Sequence, residues 1–531
     1  PPRSTLFPYT TLFRSAHLPF VRHPEHADMM EERWLFEAIT ETYIPLLEVF
    51  GKLVADGIRF RLTMSLTPPL VNMLADEMLI GRYSAHLARL EELAEKEVER
   101  TRWQPEFYAT ALMYREKFRR IRGVFQACDG NLIRLFKKYQ NLGVLDIITC
   151  CATHAFLPLL SDFRPAVRAQ IEMAVRDYQK HFDRAPRGIW LAECAYNPGD
   201  DKILNDFGIR YFFTDTHGIL FADPRPAYGV HAPVECPSGV LAFGRDVESS
   251  RQVWSAHEGY PGDFAYREFY RDIGFDLEFD YIHPYIHESG HRLNTGIKYH
   301  RITSRDGAEK QPYNYQEAMA RVATHAGHFI HCREQQMKHL NAMMDRPPII
   351  ISPYDCELFG HWWYEGPEFI YHVLRKTSLE SSIMQLGTPD DYLAACPCNQ
   401  RATPSMSSWG HRGYNEVWLD ESNAWIYPHL HKASQRMIEL ADRFSESEGL
   451  RLRALNQAAR ELMLLQSSDW AFIMKTGTTV EYAHKRTRDH TFRFNKLYED
   501  IVNDRVNENW LREVENRDNI FPEMDYRIFR S

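Results

Sequence analysis

Apolar and β-branched residues gather along the chain in short runs that close on a polar or aromatic residue and give way to helical patterning. FRLTMSLTP (60–68), LDIITCCATHAF (145–156), GIWLAECAY (188–196), IRYFFTDTHG (209–218) and PPIIISPYDCELFG (347–360) are examples. A run of this kind reads as a buried strand of a parallel sheet. Strand followed by helix, repeated, predicts a (β/α) barrel, whose reactive groups collect at the C-terminal ends of its strands.

Two other patterns interrupt this alternation. Residues 75–127 carry helical periodicity and mixed charge with a break at RWQPEF, which predicts an inserted helical hairpin. Over 235–315 helix signals fade and Gly, Pro, His and Tyr accumulate (HEGYPGDFAYREFYRDIGFD, YIHPYIHESGHRLNTG), a composition of long active-site loops. Helical patterning returns after ACPCNQRATPSMSSWG, in HKASQRMIELADRFSE and LRLRALNQAARELMLLQSSDWAFIMKTG. The expected organisation is a catalytic barrel over 16–399 and a helical domain over 400–531. Residues 1–15, PPRSTLFPYTTLFRS, lack the apolar region and cleavage site of a signal peptide and are read as a non-native leader.

Composition narrows the function classes. With 63 basic against 72 acidic side chains, a net charge of −9 and no long Lys/Arg run, the electrostatic footprint of a nucleic-acid binder is missing. No stretch reaches the roughly 18 continuous apolar residues of a membrane span. Nine scattered cysteines, an odd count without a disulfide framework, point to a reducing cytoplasm. Cys396 and Cys398 in ACPCNQ have no second pair at zinc spacing. The aromatic content, 13%, suits an uncharged polymer as partner.

The candidate chemistry lies at strand ends. Glu193 closes the run IWLAEC, where a barrel places a nucleophile or general base. Asp355 closes IIISPYD among Tyr354, Phe359, Trp362 and Trp363, surroundings that raise a carboxyl pKa and keep a proton available. Glu357 is read as a supporting or capping carboxylate rather than a reacting one. Two carboxyl groups from separate strands of an aromatic-rich barrel suggest glycoside chemistry, one attacking the anomeric carbon and one protonating the leaving oxygen. His17 and His154, also at strand ends, are read as neutral sugar-binding groups. A zinc site there or among the histidines of 283–300 has no HExxH or tight pair behind it, so neither a metal nor a cofactor is assigned.

AHLPF, WLAECAY, PYDCELFGHWWYEGP and QSSDWAFIMKTG, in this order, resemble the signature regions of glycoside hydrolase family 57. The 75–127 hairpin and the C-terminal helices resemble those of its 1,4-α-glucan branching members. The resemblance implies an incomplete (β/α)7 barrel with a helical insertion and a C-terminal α-helical domain. It also implies retaining double displacement, with Glu193 as nucleophile and Asp355 as acid/base. His17 and His154 would line the donor-sugar site, Asp469 would close the pocket, and Trp409 and Trp418 would shape an acceptor groove. Arg245 and Trp254, with Asp246, are further binding candidates in the loop stretch. The implied substrate is an α-1,4-glucan such as amylose, amylopectin or glycogen, with no nucleic-acid or membrane partner. An α-amylase or 4-α-glucanotransferase would share the carboxylate pair. One departure stands out: the family opens on His-x-His-x-Pro, and Ser15 here replaces the first His, so a glucan binder that has lost turnover is the reading from another class. Ala192 replaces a usual Pro beside Glu193, a minor change.

Overall fold

The computed structural model describes residues 8–254, 258–304 and 309–531. Ten strands form one sheet: β1 (Tyr9–Ala16), β2 (Leu62–Leu66), β3 (Leu145–Cys150), β4 (Gly188–Trp190), β5 (Tyr211–Thr214), β6 (Val234–Glu235), β7 (Leu241–Gly244), β8 (Ile349–Asp355), β9 (Gln385–Leu386) and β10 (Gln400–Arg401). Their order is β10-β6-β7-β5-β4-β3-β2-β1-β8, with β9 beside β1. Strands β8, β1, β2, β3, β4, β5 and β7 run parallel, while β6 pairs antiparallel with β7. The free edge of β8 meets backbone from the far end of the sheet. Asp246 N–H donates to Ile351 O at 2.9 Å, and Ile349 N–H donates to His231 O at 2.9 Å. The sheet thus curls into an incomplete (β/α)7 barrel.

Alternation along β1 shows how both sheet faces are used. Tyr9 and Phe13 join the barrel interior, where Phe13 stacks on Trp190 (4.7 Å) and meets Phe213 (4.9 Å). Leu12 and Ala16 join the helix-side core. Arg14 on that side is 1% exposed and is clasped between Tyr354 (4.6 Å) and Phe359 (4.0 Å), where burial drags its guanidinium down to about 10. The barrel therefore begins at Tyr9, inside the segment read as a leader, because Tyr9–Ala16 pairs with both β2 and β8. Residues 1–7 of that segment lie outside the described residues.

The 235–315 stretch holds more regular structure than its composition suggests. It includes part of β6, all of β7 and the helix Val247–Trp254. The four-residue β7 is too short to announce itself between Gly239 and Gly244. Its later part is anchored rather than loose: Tyr260 and Tyr266 each hydrogen-bond a histidine of the long helix Tyr315–Met343, His328 and His325, at 2.7 Å. Residues 255–257 and 305–308 of this stretch lie outside the described residues.

The inserted helices Glu77–Arg100 and Pro105–Ala127 pack against this stretch, the first of them chiefly through the carboxylate of Glu97 and the second through Phe107 and Tyr114. Glu97, fully buried, accepts hydroxyl hydrogen bonds from Tyr281 and Tyr299, both at 2.8 Å, and two from Arg100 at 2.8 and 2.7 Å. Removing that acceptor strands three donors. Glu97→Ala is expected to cost about 3 kcal/mol, and Glu97→Gln less, read as a fall in denaturant midpoint by circular dichroism.

Candidate active site

The C-terminal ends of β3, β4 and β8, the segment following β1 and the C-terminal helices converge on one cleft. Glu193 occupies the tight turn after β4 with φ 60° and ψ 22°, and Cys194 follows at φ 54°. His154, after β3, has φ 58°. Left-handed backbone at non-glycine residues is strained, and three such residues at one site indicate that packing enforces their positions.

Glu193 is held at both oxygens. Ser468 Oγ–H donates to one (3.0 Å) and Trp409 Nε1–H to the other (3.0 Å). His154 Nδ1 lies 2.9 Å from Ser468 Oγ, so a chain His154→Ser468→Glu193 fixes the hydroxyl as donor. Burial raises the Glu193 carboxyl above its usual range, while the Trp409 and Ser468 hydrogen bonds and His17 oppose that rise.

His17 is the hub. Its Nε2 meets both oxygens of Asp469 (2.9 and 3.0 Å), its Nδ1 meets Thr67 Oγ1 (3.1 Å), and its backbone N–H donates to Glu357 Oε1 (3.2 Å). Burial alone would lower its pKa, but Asp469, Glu193 and Glu357 raise it overall. Burial would likewise raise Asp469, yet its pairing with His17 and the Ser467 hydroxyl hold it down at about 2. His154 stacks on His17 at 3.6 Å with planes 9° apart, and burial together with that neighbour drives it well below its ordinary value. His17 is thereby biased toward its charged form and His154 toward its neutral form.

Nitrogen lone pairs lie in the ring planes, so two stacked imidazoles do not converge on one ion about 2 Å away. His17, His154 and Asp469 are near enough to hold a metal, but both His17 nitrogens, the Asp469 carboxylate and His154 Nδ1 already hydrogen-bond one another, Thr67 or Ser468. A second such group, Glu461, His490 and Asp518, is buried in the C-terminal helices and neutralised by Arg486 and Arg493.

Asp355 ends β8 in register with Ser15 of β1. Burial first, then the charges of Glu357 and Glu193, push its pKa up to about 8 against the pull of His17 and Arg245. No hydrogen bond contributes to that balance, in contrast to Glu193. Glu357 also accepts from Tyr43 Oη–H at 2.5 Å; Tyr43 ends the π-helical turn Ile39–Tyr43. The segment after β8 docks tightly on that turn, since a Cβ on Gly360 (φ 124°) would meet Glu41 O at 1.9 Å.

Of the other predicted residues, Arg245 enters the site: its guanidinium is 5.9 Å from the Trp409 ring and 3.7 Å from Asp215. Trp418 does not line a groove. It is 1% exposed, stacked on Phe156 at 4.4 Å, and acts as packing beneath Trp409 and Gly410. Trp254 ends its helix 38% exposed, and its indole makes no hydrogen bond or ring contact with a described residue, so nothing places it in the site. Asp246 caps that helix, accepting from Ser249 N–H at 2.7 Å and pairing with Arg333, and is structural. Sequence reasoning passed over Ser468, though it stands in the quoted QSSDW, and Tyr43 and Thr67, for which no signal exists.

Similarity to known proteins agrees with this arrangement. Residues 11–352 match the glycosyl hydrolase family 57 domain, and 429–529 match the C-terminal domain of 1,4-alpha-glucan branching enzymes. A curated 1,4-alpha-glucan branching enzyme of Thermococcus kodakarensis is 33% identical over 555 residues, covering 97% of this chain and 77% of that protein. A solved α-amylase structure from Thermotoga maritima is 49% identical, covers 99% of both chains and superposes with a TM-score of 0.93. A branching-enzyme structure from Pyrococcus horikoshii is 33% identical, covers 99% of this chain and 97% of its own, and has a TM-score of 0.89. The chain belongs to glycoside hydrolase family 57.

Proposed function

We propose that the protein is a 1,4-α-glucan branching enzyme in which Glu193 is the nucleophile and Asp355 the acid/base. The observation that carries this reading is the asymmetry of the two carboxyl groups. Both are buried beside like charges, but two donors oppose the rise at Glu193, whereas at Asp355 burial and the charges of Glu357 and Glu193 push the pKa up to about 8. Protonated Asp355 delivers its proton to the glycosidic oxygen as the Glu193 carboxylate attacks C1, leaving a glycosyl ester on Glu193. Asp355, now ionised, takes the proton of an acceptor 6-hydroxyl; that oxygen attacks C1 with retention, forms the α-1,6 bond and frees Glu193. Asp469, through His17, and Ser468, through Glu193, bring the C-terminal helices into the pocket wall.

The similarity to branching enzymes of two archaea and the match over 429–529 support transfer to a sugar hydroxyl. The likeness to the Thermotoga α-amylase favours a second reading, in which water takes the acceptor's place. Incubation with amylose followed by a debranching enzyme separates them. New short chains released only after debranching mean branching, whereas reducing ends formed without α-1,6 bonds mean hydrolysis.

Glu193→Gln and Asp355→Asn are each expected to lower turnover on amylose by about 10³-fold or more, measured against unsubstituted protein with the same melting curve. Comparable activity in either variant refutes the assignment.

The pH profile follows from the same charges. The first step needs Asp355 protonated, so kcat/KM falls as pH rises through about 8. Neutralising Glu357 removes a like charge and lowers the Asp355 pKa, so Glu357→Gln is expected to move this alkaline limb to lower pH. Tyr43→Phe, which removes a hydrogen bond favouring ionised Glu357, shifts it the same way and less. An alkaline limb unmoved in Glu357→Gln contradicts the coupling.

A further inference from the structure

Two consecutive tryptophans after β8 part company: Trp363 is 1% exposed and Trp362 is 54% exposed. A lone exposed indole would need no explanation, but this one is built into a cluster of aromatic rings. One side of Trp362 lies flat on Phe269, with centroids 4.4 Å apart and planes at 20°. Phe269 is braced in turn by the Lys298 ammonium, 4.3 Å from its centroid, and that lysine, 2% exposed, donates to the Phe269 carbonyl. His361 abuts the indole edge at 5.4 Å and is fixed by Glu41 at 2.7 Å. Tyr270, 79% exposed, meets the Phe269 edge at 5.2 Å. These contacts hold a flat aromatic surface rigid with one face turned to solvent.

We propose that Trp362, backed by Phe269 and flanked by Tyr270, is a platform that binds an α-glucan chain outside the catalytic cleft; this rests on the reading of the protein as a glucan-active enzyme. The location ties it to the cleft. Trp362 lies on the segment that leaves β8 after Asp355, and its N–H donates to Glu357 O at 3.3 Å, the same residue whose side chain holds His17 and Tyr43. That segment emerges at the C-terminal end of the barrel strands, where the site opens. The chemistry fits a neutral polysaccharide. The C–H groups on a pyranose face carry small positive charge and pack on the negative face of an indole, while the hydroxyls at the ring edge stay hydrated. A chain held both at the carboxylates and at Trp362 gains from the second contact by effective concentration, and only chains long enough to reach both gain.

The test compares Trp362→Ala, Trp362→Phe and Tyr270→Ala with the unsubstituted protein, each checked by thermal melting. In native gels containing soluble amylopectin, Trp362→Ala is expected to lose most of its retardation, Tyr270→Ala part of it, and Trp362→Phe little. In kinetics, Trp362→Ala is expected to raise KM for long amylose about tenfold while leaving kcat/KM on a short malto-oligosaccharide within about twofold. Unchanged retardation in Trp362→Ala, or an equal loss on short and long chains, overturns the platform. A protein that turns over amylose while Trp362→Ala keeps its KM sinks this inference alone. One that converts no α-glucan sinks the catalytic reading, and the gel then decides the platform by itself.

Discussion

Two carboxyl groups taken out of water in one cleft repel each other, and neither is comfortable ionised. The rest of the site is a response to that constraint. Glu193 is given two hydrogen-bond donors and His17 nearby; Asp355 is given no donor among the described residues and the charge of Glu357 close by. The rise is opposed by hydrogen bonds at Glu193 and not at Asp355, and on the proposed mechanism the division of labour follows from that placement rather than from residue type. Aspartate is ordinarily the stronger acid of the two, so its environment here works against the intrinsic order.

Holding that arrangement takes contributions from distant parts of the chain. Ser468 and Asp469 belong to the C-terminal helix Ser468–Thr476, and they reach Glu193 and His17 across 275 and 452 residues of sequence. The join is more than one contact: Ser468 N–H donates to His154 O at 3.0 Å, and Gln170 bonds Gln466 at 2.8 Å. Strained backbone at His154, Glu193 and Cys194 persists because these neighbours over-determine it. An acidic residue in the first turn of Ser468–Thr476 is also favoured by the helix dipole, which helps keep Asp469 ionised opposite His17.

What could be read from the sequence follows from how locally each feature is encoded. Asp355 and Glu193 were legible because an apolar run ending in a carboxylate is a local pattern, and a parallel barrel gives that pattern one meaning. Tyr43 was not, because nothing near it in sequence names its partner 314 residues away. Trp418 and Trp254 illustrate a different limit: a tryptophan letter carries no sign of which side of a wall it faces, and the one expected in an acceptor groove turned inward while the one in a presumed loop ended a helix. The strand β7 was lost among glycines, and the first strand lies in letters that look foreign, although hydrogen bonding to β2 and β8 needs only backbone and modest side chains.

On the proposed mechanism, branching and hydrolysis share every covalent step up to the ester on Glu193, so the carboxylates themselves do not choose between them. The choice is kinetic: an ester that waits in a wet cleft meets water at tens of molar, and a sugar hydroxyl competes only if it is already held at the right face. Closing the pocket with Asp469 and Ser468 lowers the first rate. A rigid aromatic surface at the mouth raises the second by keeping a chain resident without charging the cleft, and it does so at no cost to the pKa balance, since an indole and a phenol add no net charge near Asp355. On this argument the transfer ratio is set outside the catalytic pair, and proteins with the same two carboxylates can differ in it through the walls and rim alone.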